Sequence, residues 1–120
     1  MNKQIPWISI GKQNDLVPNS GIGARVGNRQ VAIFWIPERD NRIFAVANYC
    51  PFSDVHIIAR GIIGDIAGEP VVASPLYKQH FSLIDGRCIE KPEVVLDIWE
   101  VRLNGDDLQV QSRTAEDLAA

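Results

Sequence analysis

Hydrophobic positions in this chain fall in short β-branched and aromatic runs about 8 to 12 residues apart, and no stretch carries the 3.6-residue repeat of a long helix. The runs are residues 7–10 (WISI), 24–26 (ARV), 30–36 (QVAIFWI), 42–48 (RIFAVAN), 70–74 (PVVAS), 80–84 (HFSLI), 97–103 (DIWEVRL) and 108–111 (LQVQ). Each predicts a strand. Within 97–103, Trp99, Val101 and Leu103 alternate with Ile98, Glu100 and Arg102, which predicts one buried and one solvated face. Gly27-Asn28, Asp85-Gly86 and Asn104-Gly105 supply residues that tolerate the positive φ of tight hairpins, so neighbouring strands are expected to pair antiparallel. Gly21-Ile22-Gly23, Arg39-Asp40-Asn41 and Asp106-Asp107 read as further turns.

Two segments break the rhythm. Residues 51–69 hold apolar pairs and three glycines without a clean period, which predicts a long functional loop with one helical turn. In the tail, Thr114 stands three residues ahead of Asp117, the spacing of a helix start, and the readings of helix, partner-docking segment and plain disorder all stay open. The expected organisation is one domain over residues 1–111 and a C-terminal tail over 112–120.

Composition narrows the function classes. Hydrophobic residues make up 46% and charged residues 22%, the balance of a globular chain. A net charge of -3 and pI near 5.3 offer no basic stripe for phosphates, so neither nucleic acid nor an acidic membrane surface is an expected partner. The longest apolar run, 31–36, is too short to span a bilayer, and the N-terminal residues lack an export pattern, so a cytoplasmic location is expected. In that compartment Cys50 and Cys88 are expected as free thiols.

Metal chemistry is the first candidate, because Cys50, His56, His80 and Cys88 have the composition of a Cys2His2 zinc site or of an iron–sulfur cluster held by two cysteines and two histidines. Their spacing argues against both, since no close pair of the Cys-x-x-Cys kind is present. Gly21 and Gly23 sit between short strands, unlike a dinucleotide-binding turn. Ser74, His80 and Asp85 have the residue types of a hydrolase triad, but nothing like G-x-S-x-G surrounds Ser74.

The segments NYCPFSD (48–54) and SPLYKQHFSLIDGRC (74–88) resemble the two cluster-binding boxes of Rieske proteins. On the second box, C-P-x-H-G-x-x-F-x-L-x-x-G, Pro75, Phe81, Leu83 and Gly86 match without gaps, and residues 31–51 resemble the family's approach to its first box, a strand, hairpin and strand ending in an asparagine, here Asn48, two residues before Cys50. The resemblance implies an all-β, Rieske-like (ISP-type) domain of two to three packed antiparallel sheets. Of the four ligand positions, however, only Cys50 survives: the others hold Phe52, Ser74 and Tyr77, and Lys78 replaces the usual following glycine. Phenylalanine has no lone pair, serine is a weak donor, and tyrosine would have to lose a proton against a pKa near 10. A [2Fe-2S] cluster is therefore not expected on this chain. Phe52 and Tyr77 are expected to pack and close the gap between the loops, with exposure of both as the alternative.

VAIFWIP, NYCPF and ARGIIGDIAGEPVVASPLYKQHFSLIDGRCIE are similar to the small-subunit family of NAD(P)H-dependent nitrite reductases, the NirD family. That likeness implies a small, non-catalytic subunit of a cytoplasmic enzyme that reduces nitrite to ammonium. Its partner would be the large subunit, which would carry sirohaem, iron–sulfur and FAD. The expected contact surface is Phe52, Ser53, Asp54, Tyr77, Lys78, Gln79 and His80, with no catalytic residue and no metal on this chain. The alternatives are a Rieske-type ferredoxin with an atypical [2Fe-2S] site and a stand-alone binding module on the same fold.

Overall fold

The computed structural model describes residues 5–113 and residue 117. Strands β1 (Trp7–Lys12), β2 (Ser20–Val26), β3 (Arg29–Ile36), β4 (Arg42–Ala47), β5 (Tyr49–Cys50), β6 (Val55–His56), β7 (Ile62–Ile66), β8 (Glu69–Ala73), β9 (His80–Ser82), β10 (Ile98–Trp99), β11 (Val101–Asn104) and β12 (Asp107–Gln111) follow in order. They form sheets ordered β1-β12-β11, β10-β4-β3-β2 and β7-β8-β9, with β5-β6 as a separate ribbon. Every strand pairing is antiparallel, as the hairpin turns predict.

Strand β3 explains the core. It lies between β2 and β4, and Val31, Ala32, Ile33 and Phe34 are all buried, so both of its faces are covered. A strand covered on both sides reads as a continuous apolar run rather than an alternating one. Val46, Ile58, Val72, Phe81, Leu83, Trp99, Leu108 and Val110 join the same core, which ties the sheets together through apolar burial.

Several expectations need correction. The run 97–103 is not one strand: β10 pairs with β4, whereas β11 pairs with β12, so the chain changes sheets at Glu100. Trp99 is buried and Val101 half-buried, with Glu100 and Arg102 exposed between and after them, so the alternation runs through the corner and fades only at the exposed Leu103. Gly21-Ile22-Gly23 lies inside β2, paired in register with Phe34, Ile33 and Ala32. Asp107 belongs to β12 and pairs with Lys12 at 2.6 Å, so only Asp106 stays in the turn. Residues 51–69 carry a 3-10 turn at Ile58–Arg60 but also β6 and β7, so part of the expected loop is sheet.

The tail is partly tied down. Asp117 is buried, and its Oδ2 accepts hydrogen bonds from Trp99 Nε1 at 3.0 Å and from the Arg113 amide at 2.7 Å. Arg29 lies 4.7 Å over the Trp99 ring and Arg113 5.8 Å, and both arginines reach Asp97. Thr114, the expected start of a tail helix, lies outside the described residues.

Candidate functional site

The two loops that resemble cluster boxes are built alike. In the first, the Asp54 amide donates to the Cys50 carbonyl at 2.8 Å; in the second, the Lys78 amide donates to the Ser74 carbonyl at 3.0 Å. Each is a single turn closed between residues four apart. Each closes on a residue in the left-handed region, Asp54 at φ 59° and Lys78 at φ 61°. Lys78 thus keeps the backbone conformation that a glycine adopts readily, although no glycine is present.

The loops meet at their first residues. Cys50 Sγ and Ser74 Oγ lie 3.5 Å apart, both buried. Burial by itself pushes the Cys50 thiol up, but hydroxyl groups of Ser53 and Ser74 and the amides of Ser53 and Phe52 outweigh it and hold the thiol below its ordinary value. Ser53 Oγ makes no well-aligned hydrogen bond, so its effect on the sulfur is that of a nearby dipole. Cys88 behaves oppositely: burial dominates and pushes its thiol up. Both cysteines are free.

Asn48 fixes the approach to the first loop. Its Nδ2 donates to Gln30 Oε1 at 3.3 Å, its Oδ1 accepts from the Ala59 amide at 2.7 Å, and its carbonyl accepts from the Ile57 and Ile58 amides. One side chain and its backbone thus bind β3, the first loop and the 3-10 turn together.

The two aromatic replacements part company. Phe52 is half-buried, with its ring 6.0 Å from that of Phe81, so it packs onto the core as expected. Tyr77 is 63% exposed, which corrects the expectation that both rings fill the gap. It stands beside the also exposed Leu76, in the turn that the Lys78 amide closes on the Ser74 carbonyl. Asp54 is exposed and accepts a hydrogen bond from the Tyr49 hydroxyl. Ser53 and Gln79 are half-buried, and the Gln79 carbonyl holds the Ser74 amide at 2.9 Å. His80 lies in β9, where Nδ1 meets Glu90 Oε2 at 2.6 Å and its amide donates to Glu90 Oε1 at 2.8 Å.

The seven expected contact residues therefore divide. Asp54, Tyr77 and Lys78 are exposed on the loops, whereas Phe52, Ser53, Gln79 and His80 are partly buried. Sequence reasoning missed the exposed Tyr49, Val55 and Leu76 beside them. The available signal was large apolar residues within segments that otherwise read as turns.

A [2Fe-2S] cluster of the Rieske kind needs two thiolates and two imidazoles converging on it. Here the corresponding positions offer one sulfur, one hydroxyl, a phenyl ring packed on Phe81 and an outward phenol. That donor set does not fit the cluster. Among the described residues no group of three or more His, Cys, Asp or Glu side chains is arranged to hold a metal ion. Among the same residues no helix is long and apolar enough to cross a membrane.

Comparison with known proteins agrees with this geometry. Residues 6–111 match the model of the Rieske-like [2Fe-2S] domain family. The chain is 38% identical over 105 residues to the nitrite reductase (NADH) small subunit of Escherichia coli strain K12, covering 88% of this chain and 96% of that one. It is 37% identical over 105 residues to the nitrite reductase [NAD(P)H] large subunit of Klebsiella oxytoca, spanning 88% of this chain but 11% of that protein. The solution structure of the E. coli protein NirD superposes with a TM-score of 0.78 at 34% identity, covering 91% of this chain and 98% of NirD. A Rieske-like fold whose loops depart from the ligand set, together with this identity along nearly whole chains, shows that the protein belongs to the family of nitrite reductase (NADH) small subunits.

Proposed function

We propose that this chain is the non-catalytic small subunit of a cytoplasmic NADH-dependent nitrite reductase, where it binds and organises a large subunit that reduces nitrite to ammonium. The observation that carries this reading is the Klebsiella oxytoca large subunit, one stretch of which resembles this chain over 105 residues. A stretch similar to this chain occurs within a large-subunit polypeptide in one organism and as a separate small subunit in another, which supports a place for this chain beside a large subunit. In this reading sirohaem, iron–sulfur and FAD belong to the large subunit, and this chain holds no cluster. The loop tips at Asp54, Tyr77 and Lys78, extended by Leu76, make the contact. Phe52, packed on Phe81, keeps the first loop rigid enough to present them.

Two measurements test the reading. Co-expression with the large subunit from the same organism should yield a complex that survives size-exclusion chromatography, and Tyr77→Ala should weaken it at least tenfold without altering the small subunit's melting temperature. A chain that elutes alone beside active large subunit defeats the subunit role. The purified chain should lack visible absorption; stoichiometric iron and sulfide would point to the ferredoxin alternative instead.

A further inference from the structure

A cleft of about 410 Å³ opens beside the first loop, between Gly23 and Gln30 on one side and His56, Ile57 and Arg60 on the other. Its shape follows from the sequence. At Gly21 the 3-10 turn presses onto β2 so closely that a Cβ would lie 2.3 Å from Ala59 O, whereas two residues on, a Cβ at Gly23 would meet nothing within 4 Å. The turn therefore forms a wall and the bare backbone at Gly23 leaves depth.

The lining is one-sided in charge. Among the described residues no Asp or Glu lines the cleft, although acidic residues outnumber basic ones along the chain by 15 to 12. The Arg60 guanidinium makes no ion pair or side-chain hydrogen bond among the described residues, in contrast to Arg29, Arg39, Arg87 and Arg113, each of which pairs with a carboxylate. The His56 ring packs edge-on against Tyr49 with centroids 5.4 Å apart, and neither of its nitrogens has a hydrogen-bond partner among the described residues. Gln30 spends its carbonyl oxygen on Asn48, which leaves its amide nitrogen as a donor. Asn48, which also borders the cleft, is committed within the fold and serves as structure only.

We infer that this cleft is a binding site for an oxyanion, a carboxylate before others. A guanidinium fork matches the two oxygens of a carboxylate, and the imidazole and carboxamide supply further donors on the same rim. Ile57 and Ala59 give the cleft an apolar side that accommodates a carbon skeleton behind the charged group. The site is independent of the subunit reading, since its lining holds none of the residues assigned to the large-subunit contact. Two sources share this chemistry: a free small anion, and a glutamate or aspartate side chain carried on a polypeptide.

The test is a ¹H–¹⁵N correlation titration of the full chain with sodium acetate, and separately with N-acetyl-glutamate amide, each against sodium chloride at matched ionic strength. Saturable shifts are expected at the amides of Gly21, Gly23, His56 and Arg60 and at the Gln30 carboxamide. Arg60→Gln should weaken binding at least fivefold while leaving the rest of the spectrum in place, because Arg60 is exposed and makes no ion pair among the described residues. Gly23→Leu, which fills the cleft and keeps every donor, should weaken it comparably. Tenfold tighter binding of the glutamate derivative than of acetate assigns the site to a side chain, and equal or weaker binding assigns it to a free anion. Shifts that chloride reproduces, or that persist unchanged in Arg60→Gln, overturn the site.

Discussion

Cys50 Sγ and Ser74 Oγ lie 3.5 Å apart in a buried contact between two loops that start 24 residues from each other. Both residues open a turn of the same form, so the contact joins two similar loops at their first residues. The hydroxyl replaces a thiolate and leaves a hydrogen bond where a shared ion would otherwise join the loops.

This contact makes Ser74→Cys a direct probe. With two sulfurs in reach, diamide should join Cys50 to the introduced cysteine in a disulfide, which needs S–S closure to about 2.05 Å. Mass spectrometry of the unreduced protein should show the loss of two hydrogens, absent when Ser74→Cys is combined with Cys50→Ala. A variant that keeps its thiols free after oxidation contradicts the contact.

The two native thiols should give opposite pH dependences. Cys50 has its folded value held down, by serine hydroxyls and loop amides that outweigh burial, so its contribution to stability is complete above the unfolded thiol's value and is lost as pH falls through the lower folded one. Cys88 has its folded value pushed up by burial, so its contribution is present below the unfolded value and is lost as pH rises toward the higher folded one. Denaturant midpoints followed upward through the alkaline range should therefore climb in Cys88→Ala and decline in Cys50→Ala, each relative to the unsubstituted chain.

Gly21 and Gly23 occupy the same face of β2 but should respond differently to a methyl group. Gly21→Ala forces a Cβ to within 2.3 Å of Ala59 O and 2.7 Å of Phe34 Cε1, an overpacking expected to destabilise by about 1–3 kcal/mol. Gly23→Ala meets open space, and the loss of glycine entropy in the unfolded chain should leave stability unchanged or raised by about 0.4–1 kcal/mol. Urea denaturation of the two variants checks both signs.

Lys78 holds a left-handed backbone at φ 61°. Lys78→Gly should keep or raise the melting temperature, and Lys78→Val should lie below the glycine variant by about 1–2 kcal/mol, because a β-branched residue is least tolerant of that region. Equal stabilities would mean that the turn relaxes to another conformation.

The buried Asp117 carboxylate accepts from Trp99 and from the Arg113 amide. Asp117→Ala leaves both donors without that acceptor and should destabilise by about 1–3 kcal/mol, with Asp117→Asn, which retains one acceptor oxygen, losing less. Calorimetric melting of both variants distinguishes an anchored tail from a passive one.

The strands of the core were legible from local pattern, since β3, β4, β8 and β12 coincide within a residue or two with apolar runs. The corner at Glu100 was not, because a strand that changes sheets keeps its periodicity while its partners change. The irregular stretch after Cys50 hid β7, an edge strand with glycine in its middle and Ile62 left outside the core. At the candidate site, the loss of ligand residues was visible in the sequence, and so was the replacement of the expected glycine by Lys78. The fates of Phe52 and Tyr77 were not, because one aromatic residue reads like another until the loop's direction is known.

The sequence by itself determined an all-β domain with hairpin turns, a Rieske-like framework and a ligand set too poor for a cluster, since these depend on residue type, short-range periodicity and spacing. Only the tertiary structure decided that Cys50 meets Ser74, that Phe52 packs inward while Tyr77 faces solvent, and that Gln30, His56 and Arg60 share one cleft. Those relationships join residues far apart in the chain. Their geometry is set by how sheets pack and where turns close, which no local pattern of hydrophobic and polar positions encodes.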